Sequence, residues 1–368
     1  DVRETALSAT AYVRAVHHVQ ALPKGTNWIR DRAGTIFPIY SGLLLALKWE
    51  EIPDNDQREE EQRIVSQFLD ETKRHGDPTH ICRALAMLGN LLGQICRWNA
   101  ALSSHDELEA LYDQNRSEQI SRELVQHYRS DRAAQNFPMA VQWALLAGRE
   151  ETEVQRRKQA CRTLFHEADR TNSHNSFMLV FPFVCILTDP RQVGDTYAKN
   201  IAEALELFMH VVREPWDELH GPEDDATTYF LSVHPFVEFW LRLLNGEFSA
   251  DIPRCCSRLH QLAEEYTSLS GFKQLHSSHV MSMLGRSVES ILAESYLYVA
   301  AISEMRSGDP MISEGDSPNM LRITAMAWLE RIDEALLHDP RARSSKAWEK
   351  IMCGAIRDRW MVPVAAET

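Results

Sequence analysis

Residues Arg83 to Tyr112 read RALAMLGNLLGQICRWNAALSSHDELEALY, two amphipathic segments joined by a tight turn. Leu85, Leu88, Leu92 and Ile95 recur at helical spacing on one face, and Gly89 sits beside Leu88 where a neighbouring helix could approach the backbone closely. After Cys96-Arg97 a second apolar stripe runs through Trp98, Ala101, Leu102, Leu108 and Leu111. Two such stripes across a short turn describe an antiparallel helix pair, and they set the expectation of an all-α chain.

The same rhythm extends outward. Upstream, residues 4–22 and 28–49 read as helices, the second interrupted at Pro38, and a charged helix spans 57–75; Thr79 then fits an N-cap. Downstream, helices are expected over Ser117 to Arg129, Ala133 to Leu146, Glu150 to Ala168, Ser173 to Leu187, Tyr197 to Val212, Ala226 to Leu244, Ile252 to Leu269, Phe272 to Arg306, Asn319 to His338 and Ser344 to Trp360. Gly148-Arg149 stops one of them at a turn equivalent to Cys96-Arg97, and Gly285 is expected as a packing point inside the long helix 272–306. No stretch carries the period-two alternation of a strand or an Asn-Gly hairpin signal. Polar breaks divide the chain into N-terminal helices (1–75), helix pairs (76–213) and a C-terminal array (214–368) with a long loop near 307–318.

Lys and Arg total 39 against 53 acidic residues, a formal charge of −14. That balance disfavours nucleic acid or an anionic membrane surface as a partner. The basic run Arg156-Arg157-Lys158 sits among glutamates and reads as a solvated helix face. Seven scattered cysteines with no C-x-x-C pair fit a reducing, cytoplasmic compartment. The best apolar run, Phe177 to Leu187, carries Pro182 and falls short of the ~18 residues that span a bilayer. The chain opens at Asp1 without a methionine, which suggests a piece of a longer protein.

Leu85-x2-Leu88-Gly89-x2-Leu92 with Ala101 resembles the tetratricopeptide repeat, although Leu85 stands for its Trp, Leu92 for its Tyr, His105 for its Phe and Asp113 for its Pro. Ala335 to Pro340 is similar to the Ala-x4-Pro ending of that repeat's second helix. Tyr128 to Glu151 also looks like the helical tails of large signalling ATPases, some fused to adenylate cyclase modules, at Tyr128, Ser130, Asp131, Trp143, Gly148 and Arg149; no phosphate-binding G-x-x-x-x-G-K-[ST] loop accompanies it. The resemblance implies an α-solenoid of antiparallel helix pairs whose first helices line a concave groove. In that groove Arg83, Asn90 and Gln94 would face a partner, with Asn90 at the place where such domains clamp a peptide backbone or carboxylate. The function it implies is a cofactor-free, non-enzymatic interaction or regulatory module that binds a peptide segment or a neighbouring domain.

Helical chains of this length also include metalloenzymes, so metal-ligating patterns matter. No Glu-x-x-His occurs, which removes the di-iron pattern. His234 and Glu238 share a helix face at i,i+4 behind an acidic loop and lead the metal candidates, with His210, Asp217, His220, Asp224 and Asp225 nearby in sequence and His276/His279 (i,i+3) a weaker pair; a small-molecule-sensing helical regulator is the other alternative. No nucleophile elbow is present, Cys255-Cys256 read as buried small residues, and Trp143, Trp240 and Trp328 fall in apolar stripes as core fillers.

Overall fold

A computed structural model describes residues 78–94, 96–112, 131–168, 173–212, 225–269, 285–306, 316–338 and 343–360, with single positions at 14 and scattered ones within 63–74 and 119–124. The helices expected over 4–22 and 28–49, and most of the polar stretches 214–225 and 307–318, lie outside these residues. Every long regular element among the described residues is an α-helix, so the chain is all-α. In chain order these are α1 (Pro78–Gln94), α2 (Trp98–Leu111), α3 (Arg132–Leu146), α4 (Glu151–Ala168), α5 (Ser173–Leu187), α6 (Gly194–Val212), α7 (Asp225–Leu244), α8 (Ile252–Ser268), α9 (Val288–Met305), α10 (Pro318–His338) and α11 (Arg343–Trp360). They fall into two compact units, Asp1–Thr171 and Asn172–Thr368.

In the first unit α1 packs on α2, α2 on α3 and α3 on α4, and α1 also meets α3. The last contact depends on glycine. A Cβ on Gly93 would lie 2.5 Å from Nε1 of Trp143, and one on Gly89 would lie 2.9 Å from Asn136 Oδ1 and 3.3 Å from the indole, so α3 occupies the space two missing side chains leave on α1. Asn136 Nδ2 donates to the carbonyl of Ala86 (3.0 Å), and Ser104 Oγ donates to that of Leu85 (2.9 Å), tying both neighbours to α1. Helix ends follow the sequence closely. Cys96 (φ 62°) and Gly148 (φ 66°) both turn left-handed, with Arg97 N bonding Leu92 O (2.9 Å) and Arg149 N bonding Ala144 O (3.0 Å), so the two turns are geometrically equivalent. Asp131 caps α3 through Ala134 N (2.9 Å) and accepts from Tyr112 Oη (2.6 Å). Thr79 departs from expectation. The helix begins at Pro78, whose fixed φ suits a first turn, and the Thr79 hydroxyl donates to the Glu123 carboxylate instead of capping.

The second unit is organised around α9, which is buried over most of its length and packs against α7, α8, α10 and α11; α5 packs on α6 and α6 on α7. Its sequence, VESILAESYLYVAAISEM, has small or apolar residues all round, which suits a central position better than a surface one. The continuous helix expected over 272–306 is broken before Val288. Gly285 has φ +135°, a Cβ there would lie 2.9 Å from Cys185 Cβ, and Ser287 caps α9 through Ser290 N (3.1 Å). At the centre Glu294, fully buried, accepts from Arg286 Nη1 (2.7 Å), Trp240 Nε1 (3.0 Å) and Trp360 Nε1 (3.3 Å). The Arg286 guanidinium lies over the Trp240 ring at 4.7 Å. Burial works against the Arg286 charge, but Glu294 more than offsets it and keeps the guanidinium firmly protonated.

Opposite outcomes are expected for two helical glycines. Gly93→Ala forces a methyl into a buried indole and destabilises by about 1–3 kcal/mol. Gly354→Ala, in α11 with nothing within 4 Å of the added carbon, stabilises by about 0.5–1 kcal/mol because alanine restricts the unfolded chain. Denaturant titration of both variants checks this, and a stabilised Gly93→Ala protein contradicts the close approach.

Candidate functional site

A cleft of about 550 Å³ lies between α7, the turn after it and the start of α8. Local sequence builds it. Gly246 (φ 82°) ends α7, with Glu247 N bonding Arg242 O (3.1 Å), and Asp251 starts α8 by accepting from Arg254 N (3.1 Å). These two caps fold the chain back on itself, so α7 presents His234, Glu238 and Arg242 while α8 presents Arg254 and Arg258. Pro235, Phe239 and Phe248 form the apolar wall, the two phenyl rings 5.1 Å apart.

His234 and Glu238 do meet, Nε2 to Oε2 at 3.3 Å, as the i,i+4 spacing requires. The His234 ring also stacks on Phe208, 5.6 Å away and 14° from parallel. Burial lowers the His234 pKa and Glu238 only partly opposes this, so the ring is neutral near pH 7. Glu238 is already engaged on its other oxygen by Arg242 Nε (2.9 Å), and Arg242 Nη1 also reaches Glu247 (2.9 Å). The pair therefore shares its cleft with three arginines, Arg242, Arg254 and Arg258.

Among the described residues one trio has metal-ligand spacing, His105, Asp106 and Glu109, with ligand atoms within 4.8 Å of one another. Two guanidinium groups already serve it. Arg157 Nη1 bonds His105 Nδ1 (3.2 Å) and its Nη2 bonds Asp106 (2.8 Å), while Arg156 Nη1 bonds both Glu109 oxygens (2.9 and 3.0 Å). The cluster is an ion network joining α2 to α4. It also corrects one sequence expectation: in Arg156-Arg157-Lys158 only Arg156 is solvated, whereas Arg157 and Lys158 are buried, Arg157 finding its acidic partner Asp106 on α2, far earlier in the chain. His105 fills the place of a core aromatic, edge-on to Phe137 with centroids 4.9 Å apart. Since arginine only donates, Nδ1 accepts and Nε2 carries the proton.

Of the three positions expected to face a groove, two have described side chains. Arg83 is 3% exposed and so packs inside the first unit, and Asn90 is half-exposed on α1. The Gln94 side chain lies outside the described residues. Trp143, Trp240 and Trp328 are all buried, as are Cys255 and Cys256. Sequence reasoning missed Arg254 and Arg258. Their i,i+4 spacing in the first turns of a helix was the available signal. No family model matches the chain, and no curated protein matches it. Among the described residues no helix is long and apolar enough to cross a membrane.

His105 gives the first unit a defined acid sensitivity. Burial, reinforced by Arg157 and Arg156, pushes its pKa from 6.5 down to about 3. The unfolded chain therefore takes up the proton first, so stability is complete above about pH 6.5 and falls as pH drops toward 3, at up to about 1.4 kcal/mol per pH unit. Unfolding measured between pH 4 and 7 should show a shallower decline for His105→Gln than for the parent. Parallel declines contradict a neutral buried His105.

Proposed function

We propose that the chain is a non-enzymatic interaction or regulatory module of a larger protein, built on tetratricopeptide-like antiparallel helix pairs of the α-solenoid kind. The observation that carries this reading is the α1–α4 arrangement, in which each helix packs on the next and α1 meets α3 through the Gly89/Gly93 step. The equivalent left-handed turns at Cys96 and Gly148 support it. The partner is a peptide segment or a neighbouring domain, and on the first unit the half-exposed Asn90 is the groove residue available to hold it through its backbone or a terminal carboxylate. Arg83 supports α1 from within rather than presenting a free charge, and Gln94 is assigned to the groove by resemblance alone. The reducing, cytoplasmic setting expected from the cysteines belongs to the same reading.

The competing reading is a metal-dependent helical enzyme at His234 and Glu238. It is weaker because those two groups face arginines, which repel a cation, and Glu238 is already shared between His234 and Arg242. One experiment separates the two. The purified chain is screened against an array of free-carboxylate octapeptides and analysed for bound metal. The module reading predicts a subset of peptides bound, with no stoichiometric metal, and at least about tenfold weaker binding of groove ligands by Asn90→Ala. Stoichiometric zinc, iron or manganese, lost in His234→Ala and unaccompanied by peptide binding, overturns it.

A further inference from the structure

In the cleft between α7 and α8, charge runs against its own helix and against the chain as a whole. The protein carries a formal −14, yet three arginines line this cleft beside one lining acid, Glu238, while Glu247 and Glu265 reach Arg242 and Arg258 from outside the lining. Their side chains differ in how far they are neutralised. Arg242 is held by Glu238 and Glu247, and Arg258 reaches Glu265 only at 3.5 Å. The exposed Arg254 guanidinium has no ion pair or hydrogen bond among the described residues. The nearest acid in sequence, Asp251, directs its carboxylate to the Arg254 backbone as a helix cap.

The position of Arg254 is unfavourable on two further counts. It stands in the first turn of α8, at the positive end of the helix dipole, and Arg258 follows at i,i+4 on the same face. A solvated arginine pair would be better placed almost anywhere else on the helix. The arrangement is relieved when an anion enters, and the wall of Pro235, Phe239 and Phe248 offers an apolar seat directly beside the charges. A metal ion is repelled by the same three guanidinium groups, and a long polyanion such as nucleic acid would have to lie along a chain of net negative charge.

We propose that this cleft docks an acidic peptide segment whose carboxylates are taken by Arg254 and Arg258 and whose aromatic or leucine side chain rests on Phe239 and Phe248. The proposal rests on the interaction-module reading and names the chemistry of its partner. Carboxylates suit the planar, two-pronged guanidinium donors, and the adjacent phenyl rings select against a purely polar acidic run. Loss of the Arg254 charge would also leave the free protein no weaker, because Arg254→Glu places an acid where the dipole favours one.

The test is fluorescence anisotropy on the full chain with a labelled dodecapeptide in which Glu and Asp flank Phe and Leu. The expected result is saturable binding that weakens at least about tenfold in Arg254→Glu/Arg258→Glu and falls with salt between about 50 and 500 mM, as a charge-steered contact does. A Phe239→Leu variant should bind several-fold more weakly. Arg254→Glu alone should melt at the same temperature or higher while losing affinity, which separates binding from folding. Peptide binding that survives both charge reversals but is lost in Asn90→Ala overturns the cleft and leaves the module reading intact. Saturation by inorganic phosphate with no peptide binding overturns it in favour of a small anion. A change in oligomeric state on charge reversal overturns it in favour of a second copy of the chain. Metal binding with no peptide binding at all overturns the module reading itself.

Discussion

A carboxylate sealed from water must find its donors inside the protein, and Glu294 finds three. Arg286, Trp240 and Trp360 come from the segment before α9, from α7 and from α11, so a single side chain fixes the positions of three segments around the central helix. An ion pair of this kind adds little net stability over an apolar replacement, but breaking it on one side leaves a charge stranded and costs about 3–5 kcal/mol. Its main effect is to exclude other packings. A second buried acid reinforces the same junction. Glu349 accepts from both the backbone N (3.2 Å) and the hydroxyl (2.5 Å) of Ser287 at the cap of α9, and burial raises its pKa although Ser287 and Arg286 pull the other way.

The cleft between α7 and α8 is a consequence of that anchoring. Trp240 is held to α9 through Glu294, which fixes the register of α7, and the residues just before it, Glu238 and Phe239, then face the cleft. Arg254 and Arg258 follow from the capped turn 245–251, which has little freedom once Gly246 and Asp251 are in place. The first unit works by different means. It depends on close approach at Gly89 and Gly93 and on an arginine network that crosses from α4 to α2, with neutral His105 standing in for an aromatic core residue.

Helix placement was largely legible because amphipathic period, caps and glycine stops are local signals. The expected span Ser173 to Leu187 matches to the residue, and the expected ends at Leu146, Leu244, His338 and Trp360 coincide with the observed ones. Pro138, Pro182 and Pro235 lie inside helices, where packing overrides their propensity. The break at Gly285 was illegible because it depends on Cys185, a hundred residues earlier in the chain. The burial of Arg157 was illegible for the same reason, since its acidic partners lie on α2. Of the candidate site, the His234–Glu238 contact followed from i,i+4 spacing, whereas its arginine surroundings required the fold of the α7–α8 turn. No local pattern marks α9 as central; that emerges only from what packs on it.

The most direct test of this account is a double-mutant cycle on Arg286 and Glu294, followed by denaturant unfolding. The buried pair predicts that Arg286→Met and Glu294→Leu each cost about 3–5 kcal/mol, while the double variant recovers at least about 2 kcal/mol of their sum. Strictly additive losses would show that the two side chains act independently, and the second unit would then not be organised around them.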